Sequence, residues 1–163
     1  MEPERPAPAR RATPQDAEEL VRLRAVMIDS LAYRPAADAD ASWRPVAVAT
    51  LRAELADPAG NLTAFVVDAP DGAGLAACAV GTIEYRLGGP GNPDGSGGHV
   101  FSVATDPGRR RRGHARACTE ALLGWFRERG VTRVDLRASE DAEPLYASLG
   151  FARTPDPAMR LYL

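Results

Sequence analysis

The chain has 163 residues, 45% of them hydrophobic and 26% charged, with a formal net charge of −2. That length makes one ordinary domain, able to bury a core without disulfide or metal staples. The slightly negative balance argues against nucleic-acid binding, which draws on a basic domain, and no apolar run is long enough for a membrane span.

Residues 1–9 are proline-rich and read as a mobile tail, leaving 10–163 as a single domain. Arg10 to Thr13 reads as a short first strand. Thr13-Pro14 then supplies an N-cap and a first helical position, and Leu20, Leu23, Val26, Met27 and Leu31 recur at helical spacing. Residues 32–44 are polar and read as a loop carrying Trp43. Pro45 opens a second helix in which Val48, Leu51 and Leu55 share a face, and Asp57-Pro58 ends it.

Leu62 to Asp68 is a strand by its β-branched and aromatic content. Asp71-Gly72-Ala73-Gly74 is turn chemistry, and Leu75 to Leu87 forms a longer strand. Its even positions end in Thr82, Glu84 and Arg86, so the far end has one polar face. Gly88 to Gly98 is almost all Gly, Pro, Asn, Asp and Ser and reads as a flexible connection, in a place where a loop can cover a site. His99 to Thr105 is the next strand.

Asp106-Pro107-Gly108-Arg109-Arg110-Arg111-Arg112-Gly113-His114-Ala115-Arg116 joins that strand to an amphipathic helix. Ala117, Cys118, Ala121, Leu122, Trp125 and Phe126 form the buried face of this helix. Strand, basic turn with glycine, then helix is a way to seat a polyanion: free backbone N–H groups converge at the helix start, and the macrodipole adds positive potential. Gly113 permits a backbone approach that a Cβ would block, and Ala115 keeps the next position small. A phosphorylated ligand is the expected guest. All 20 basic residues are arginine, so no lysine exists for a triphosphate-binding Gly-x-x-x-x-Gly-Lys loop.

Gly130 ends that helix, Val131 to Ala138 is a strand, Glu140 to Leu149 a short helix, and Met159 to Leu163 a closing strand. Cys78 and Cys118 fall in apolar segments, so a free, buried pair in a reducing cytoplasm is expected. No His, Cys or carboxylate spacing suggests a metal site.

Two stretches carry a family resemblance. Arg110-Arg-Arg-Gly113-His-Ala115 matches the Gln/Arg-x-x-Gly-x-Gly/Ala pyrophosphate motif of the GNAT superfamily of acyl-CoA-dependent N-acetyltransferases. Ser139-Glu-Asp-Ala142-Glu-Pro-Leu145-Tyr146-Ala-Ser-Leu149-Gly150-Phe151 resembles that superfamily's Asn-x-x-Ala-x-x-Leu-Tyr-x-x-Leu-Gly-Phe signature, with Ser139 in the asparagine position. The resemblance covers nearly the whole chain. It implies an α+β, three-layer fold: a mixed, mostly antiparallel twisted sheet of six to seven strands flanked by about four helices.

The resemblance also implies roles. Acetyl-CoA would be the co-substrate, with no metal. Arg110, Arg111, Arg112, Gly113, His114, Ala115 and Arg116 would hold its diphosphate. A bulge at Phe101, Ser102 and Val103 would take the pantetheine arm and the thioester oxygen, and Ser139 would lie beside them. Tyr146 would protonate the departing thiolate. No carboxylate stands on the His99–Thr105 strand, so Glu84, on the preceding strand, is the candidate base and acceptor ligand, with ordered water as the alternative. Trp43 would line the acceptor pocket or cap the core. The expected acceptor is a small amine, without nucleic-acid or membrane partners. Because relatives are often dimers, a homodimer is also expected. Acetylation of peptide amines, and a non-catalytic acyl-CoA-binding module, are the competing readings.

Overall fold

The computed structural model describes residues 7–31 and 40–163. The expected tail lies mostly outside these residues, as does most of the expected loop over residues 32–44. Ala7 and Ala9 pack against the core, so the packed chain starts earlier than residue 10. The strands are β1 (Arg10–Arg11), β2 (Leu62–Asp68), β3 (Leu75–Tyr85), β4 (Ser96–Thr105) and β5 (Val134–Leu136). The helices are α1 (Ala17–Ser30), α2 (Trp43–Leu55), α3 (His114–Glu128) and α4 (Glu143–Ser148).

The strands form one sheet in chain order, with β1 to β4 antiparallel and β5 parallel to β4. Its start is held by charge-assisted hydrogen bonds, which are the stronger kind. The Arg10 guanidinium donates to Asp16 and to Asp68 at 2.9 Å, and the Thr13 N–H donates to Asp16 at 2.8 Å. Those bonds tie β1 to the end of β2 and to the turn that leads into α1.

Two apolar layers sandwich the sheet. On one face, Leu20 and Leu23 of α1, with Leu51 and Leu55 of α2, pack on Ala64, Val66, Cys78 and Val80. On the other, Cys118, Leu122, Trp125 and Phe126 of α3 pack on Ala77, Ala79, Ile83 and Val100. The free cysteines thus sit in opposite layers, both buried. The expected α+β architecture with four helices is present.

Four expectations need correction. The described residues hold five strands, not six or seven. β4 begins at Ser96 rather than His99, because Gly98 is a packing position: an added Cβ there would stand 2.9 Å from the Phe126 ring. Trp43 opens α2 instead of lying in a loop, with Pro45 inside the first turn. Residues 159–163 make no strand, and Met159, Leu161, Tyr162 and Leu163 are exposed. Pro155 and Pro157 each lack an N–H and fix φ, which works against pairing there.

Phe126 is fully buried over the bare backbone of Gly81 and Gly98. Gly98→Val should therefore destabilise the fold by about 1–3 kcal/mol through overpacking. Chemical denaturation is the measurement; a midpoint within error of the parent would show that the ring can move aside.

Candidate functional site

The site is built around an interruption in β4. Cys78 pairs with Ala104 and Val80 with Phe101, so Ser102 and Val103 together oppose Ala79. Ser102 has φ of 50°, a left-handed conformation uncommon for a residue with a Cβ. This is a β-bulge, and it inverts the alternation of the strand. Before it, Val100 faces the α3 layer and Phe101 the α1 layer; after it, Val103 faces α3 and Ala104 faces α1.

The β4–β5 ladder stops at the pair Val100–Leu136, although β4 runs on to Thr105. β5 itself ends at Leu136, so β4 past Val100 has no ladder partner on that side. Tyr146 lines a cavity of about 510 Å³ that begins there, with Leu136, Ala138, Ala147 and Phe151. The Tyr146 side chain is buried, edge-on to Phe151, and burial raises its phenol pKa. It is therefore neutral near pH 7 and can donate a proton.

Side chains hold the bulge from behind. The Cys78 thiol donates to the Ser102 carbonyl at 3.2 Å, and burial pushes its pKa up to about 12. A guanidinium N–H of Arg24, on α1, donates to Ser102 Oγ. The same guanidinium lies 6.0 Å from the Phe101 ring centre, and that ring stacks on His99 on its strand. Arg24 was not foreseen. The available signal was a charge at helical spacing from Leu20 and Met27, on the edge of the apolar face.

The basic turn follows β4 directly. Residues 107–109 form a single 3-10 turn, Arg111 has φ of 62°, and Gly113 has φ of 80° at the start of α3. The first backbone bond of α3 runs from the Ala117 N–H to the Gly113 carbonyl. Among the described residues, the N–H groups of Gly113, His114, Ala115 and Arg116 find no backbone acceptor. A left-handed residue followed by free amides at a helix start is an anion-binding arrangement.

The four consecutive arginines divide in two. Arg109 is engaged by Asp71 at 2.9 Å and Asp106 at 3.8 Å, and Asp106 also lies 3.6 Å from Arg22 of α1. These pairs anchor the turn. Arg110, Arg111 and Arg112 are exposed, with no ion-pair partner among the described residues. His114 is buried with Nδ1 unpartnered, and burial, then Arg112 and Arg109, lower its pKa, so its ring stays neutral. This donor set fits a diphosphate. Arg116 instead bridges α3 to α4, binding Glu120 at 3.3 Å and Ser148 Oγ. Ser139 is exposed; its carbonyl and hydroxyl oxygens accept from the Ala142 N–H just before α4.

Glu84 stands apart from this cluster. Its carboxylate pairs with Arg86 at 3.0 Å, and its backbone lies opposite Gly97. Five residues along β3 from Ala79, at ~3.3 Å each, put it roughly 16 Å from the bulge. Trp43 is half-buried under Arg44 and lines a separate cavity of about 300 Å³ with Arg24. Arg24, which donates to Ser102, lines that second cavity, while Leu136, paired with Val100, lines the cavity that holds Tyr146.

Residues 27–151 match the sequence profile of the Acetyltransferase (GNAT) family. A mycothiol acetyltransferase from Beutenbergia cavernae is 39% identical over 62 residues, 36% of this chain and 21% of that protein, so the match spans about a fifth of the relative. A predicted acetyltransferase with acetyl-CoA from Clostridium acetobutylicum superposes with a TM-score of 0.79 at 20% identity, covering 94% of each chain. A GCN5-related N-acetyltransferase from Ralstonia eutropha JMP134 gives 0.78 at 24% identity, covering 94% of this chain and 97% of the other. Glucosamine-6-phosphate N-acetyltransferase from Arabidopsis thaliana gives 0.66 at 15%, with 94% and 97% covered. At these identities the likeness is one of fold.

A buried neutral phenol has a sign-determined pH signature. Because the folded pKa of Tyr146 is raised, its stabilising contribution is intact below about pH 10 and is lost as pH rises toward the folded value. Absorbance titration at alkaline pH should show one tyrosine ionising late, and Tyr146→Phe should remove that component.

Proposed function

The chain belongs to the GNAT acetyltransferase family, and from that premise we propose that it transfers an acetyl group from acetyl-CoA directly to the primary amine of a small molecule. The observation that carries the reading is the left-handed turn at Arg111 and Gly113 with free amides behind it, placed directly after a bulged strand. Backbone groups of Gly113 to Arg116, with Arg110, Arg111 and Arg112, hold the diphosphate. Backbone groups of Phe101, Ser102 and Val103, freed by the end of the β5 ladder, take the pantetheine arm and the thioester oxygen. A fixed N–H at that oxygen is worth about 3 kcal/mol of barrier.

In this reading the amine nitrogen bonds to the acetyl carbon and the carbon–sulfur bond breaks. The Tyr146 hydroxyl, kept protonated by burial, gives its proton to the leaving sulfur. Ordered water, not Glu84, takes the ammonium proton, because the Glu84 carboxylate is occupied by Arg86 far from the bulge. The N–H proton released as the amide forms returns to the Tyr146 oxygen, which restores the phenol. Burial keeps the Cys78 thiol protonated beneath the bulge, which disfavours an acyl-enzyme route. Two separate cavities, one lined by Tyr146 and the other by Arg24 and Trp43, suit a ternary complex, with the acceptor on the Trp43 side. The chain from Ala7 onward acts as one catalytic domain. Among the described residues no helix is long and apolar enough to cross a membrane. The 62-residue alignment does not bring the acceptor of mycothiol acetyltransferase to this chain.

Release of CoA thiol from acetyl-CoA with a panel of primary amines is the direct test. Gly113→Val should raise the Kd for acetyl-CoA at least tenfold, since a β-branched residue resists a left-handed φ. Tyr146→Phe should lower kcat by about 10²–10⁴, the usual range for general acid help, with Kd within twofold. Glu84→Gln should leave kcat/KM within about twofold. No thiol release with any amine, or unchanged acetyl-CoA affinity in the glycine variant, overturns the reading.

A further inference from the structure

Arg24 departs from the pattern of most inner arginines; Arg129 also lacks a carboxylate, but its N–H groups are taken by the Gly60 carbonyl and Asn61 Oδ1. Arg10, Arg22 and Arg109 each take at least one carboxylate. Arg24 is half-buried, and its contacts are the Ser102 hydroxyl and the face of Phe101. Among the described residues no carboxylate pairs with it, and burial alone pulls its pKa down. A guanidinium carries five N–H donors in a fixed fork that matches a carboxylate or phosphate two bonds at a time. One of those donors is used here.

The rest of the cavity it lines sets the kind of guest. Ile28 and Trp43 contribute apolar wall, and about 300 Å³ is at the low end for small-molecule sites. Asp29, Asp40 and Arg44 also border the space; the two Asp40 oxygens accept from the Ser42 N–H and hydroxyl, and Asp29 is engaged elsewhere. A charge withdrawn from water without a counter-ion is unfavourable unless a partner arrives. The partner's position is fixed by Ser102, the extra residue of the bulge.

We propose that Arg24 anchors an anionic group of the acceptor, so that the substrates are small primary amines bearing a carboxylate or phosphate, with an amino acid as the simplest member. The inference rests on the transferase reading of the bulge and adds the acceptor's charge. Pairing at Arg24 holds the acceptor beside Ser102, where its amine can reach the thioester carbon.

The test uses the purified full chain and matched amines: a panel of L-α-amino acids, each beside its carboxamide, and O-phosphoethanolamine beside ethanolamine. Thiol release should favour the anionic member at least 100-fold in kcat/KM, in the carboxylate arm, the phosphate arm or both, which names the anion. Arg24→Gln should compress that ratio to within threefold and Arg24→Lys should restore part of it, both read at saturating acetyl-CoA because Arg24 also supports the bulge. Equal use of charged and neutral amines by the parent, or a ratio that survives Arg24→Gln, overturns the anchor. A second readout separates the two readings: calorimetric titration of CoA-loaded protein with N-acetyl amino acids and their carboxamides. Heat from the acids alone, lost in Arg24→Gln, supports the anchor even where no amine is turned over. A parent that gives no heat with the acids, or heat that Arg24→Gln retains, overturns it.

Discussion

One residue too many in β4 governs the geometry of this molecule. Ser102 and Val103 occupy the space of a single partner on β3, and Ser102 accepts a left-handed φ to do so. For a residue with a Cβ that conformation costs about 1–2 kcal/mol, and it persists because its surroundings hold it. The Cys78 thiol fixes the carbonyl from the sheet below, and Arg24 fixes the hydroxyl from α1. The inversion of faces lets Phe101 and Ala104 both reach the α1 layer across the interruption. The end of β5 at Leu136, opposite Val100, adds the second feature, a stretch of β4 backbone without a ladder partner on that side.

The turn after β4 continues the same construction. Arg111 and Gly113 turn the chain through positive φ so that four amides at the start of α3 are left over. The turn is held by its ends, not by filling its middle: Asp106 donates its N–H to Ala76 and draws in Arg22 and Arg109 with its carboxylate. Charge is thereby sorted by position. Arg109 is neutralised as an anchor, while Arg110 to Arg112 keep their charge on the surface of a chain that is slightly negative overall. Such a local patch attracts an anion without making the whole protein basic.

Helices and inner strands were legible because their signals are local and periodic. Pro14, the leucines of α1 and the aromatic pair Trp125–Phe126 each state their element within a few residues. The turn motif was legible as well, since it depends on a glycine at a fixed distance from a strand and a helix. What escaped depends on contacts distant in sequence. Gly98 looks like loop until Phe126 is laid across it. Glu84 looks well placed on a polar strand end until the register sets it opposite Gly97, beyond reach of the bulge. Met159 to Leu163 alternate like a strand, yet pairing is a property of two segments, and no second one meets them among the described residues. Arg24 escaped because a single charge beside a helix's apolar stripe ordinarily snorkels to water.

The places where this chain breaks local rules are not scattered. Ser102 and Arg111 take positive φ without being glycine, His114 buries an unpartnered ring nitrogen, and Arg24 holds a half-buried charge without a carboxylate. Three of the four fall between residues 102 and 114, and the fourth donates to Ser102. The core follows the rules: Leu20 and Leu23 of α1, Leu51 and Leu55 of α2 and the apolar face of α3 pack into it, and the buried polar Thr63 and Thr119 both hydrogen-bond. Sequences are locally consistent with their folds except where function requires otherwise. A cluster of four exceptions at the bulge and the turn that follows it is therefore an argument, made from the energetics alone, that function is concentrated there.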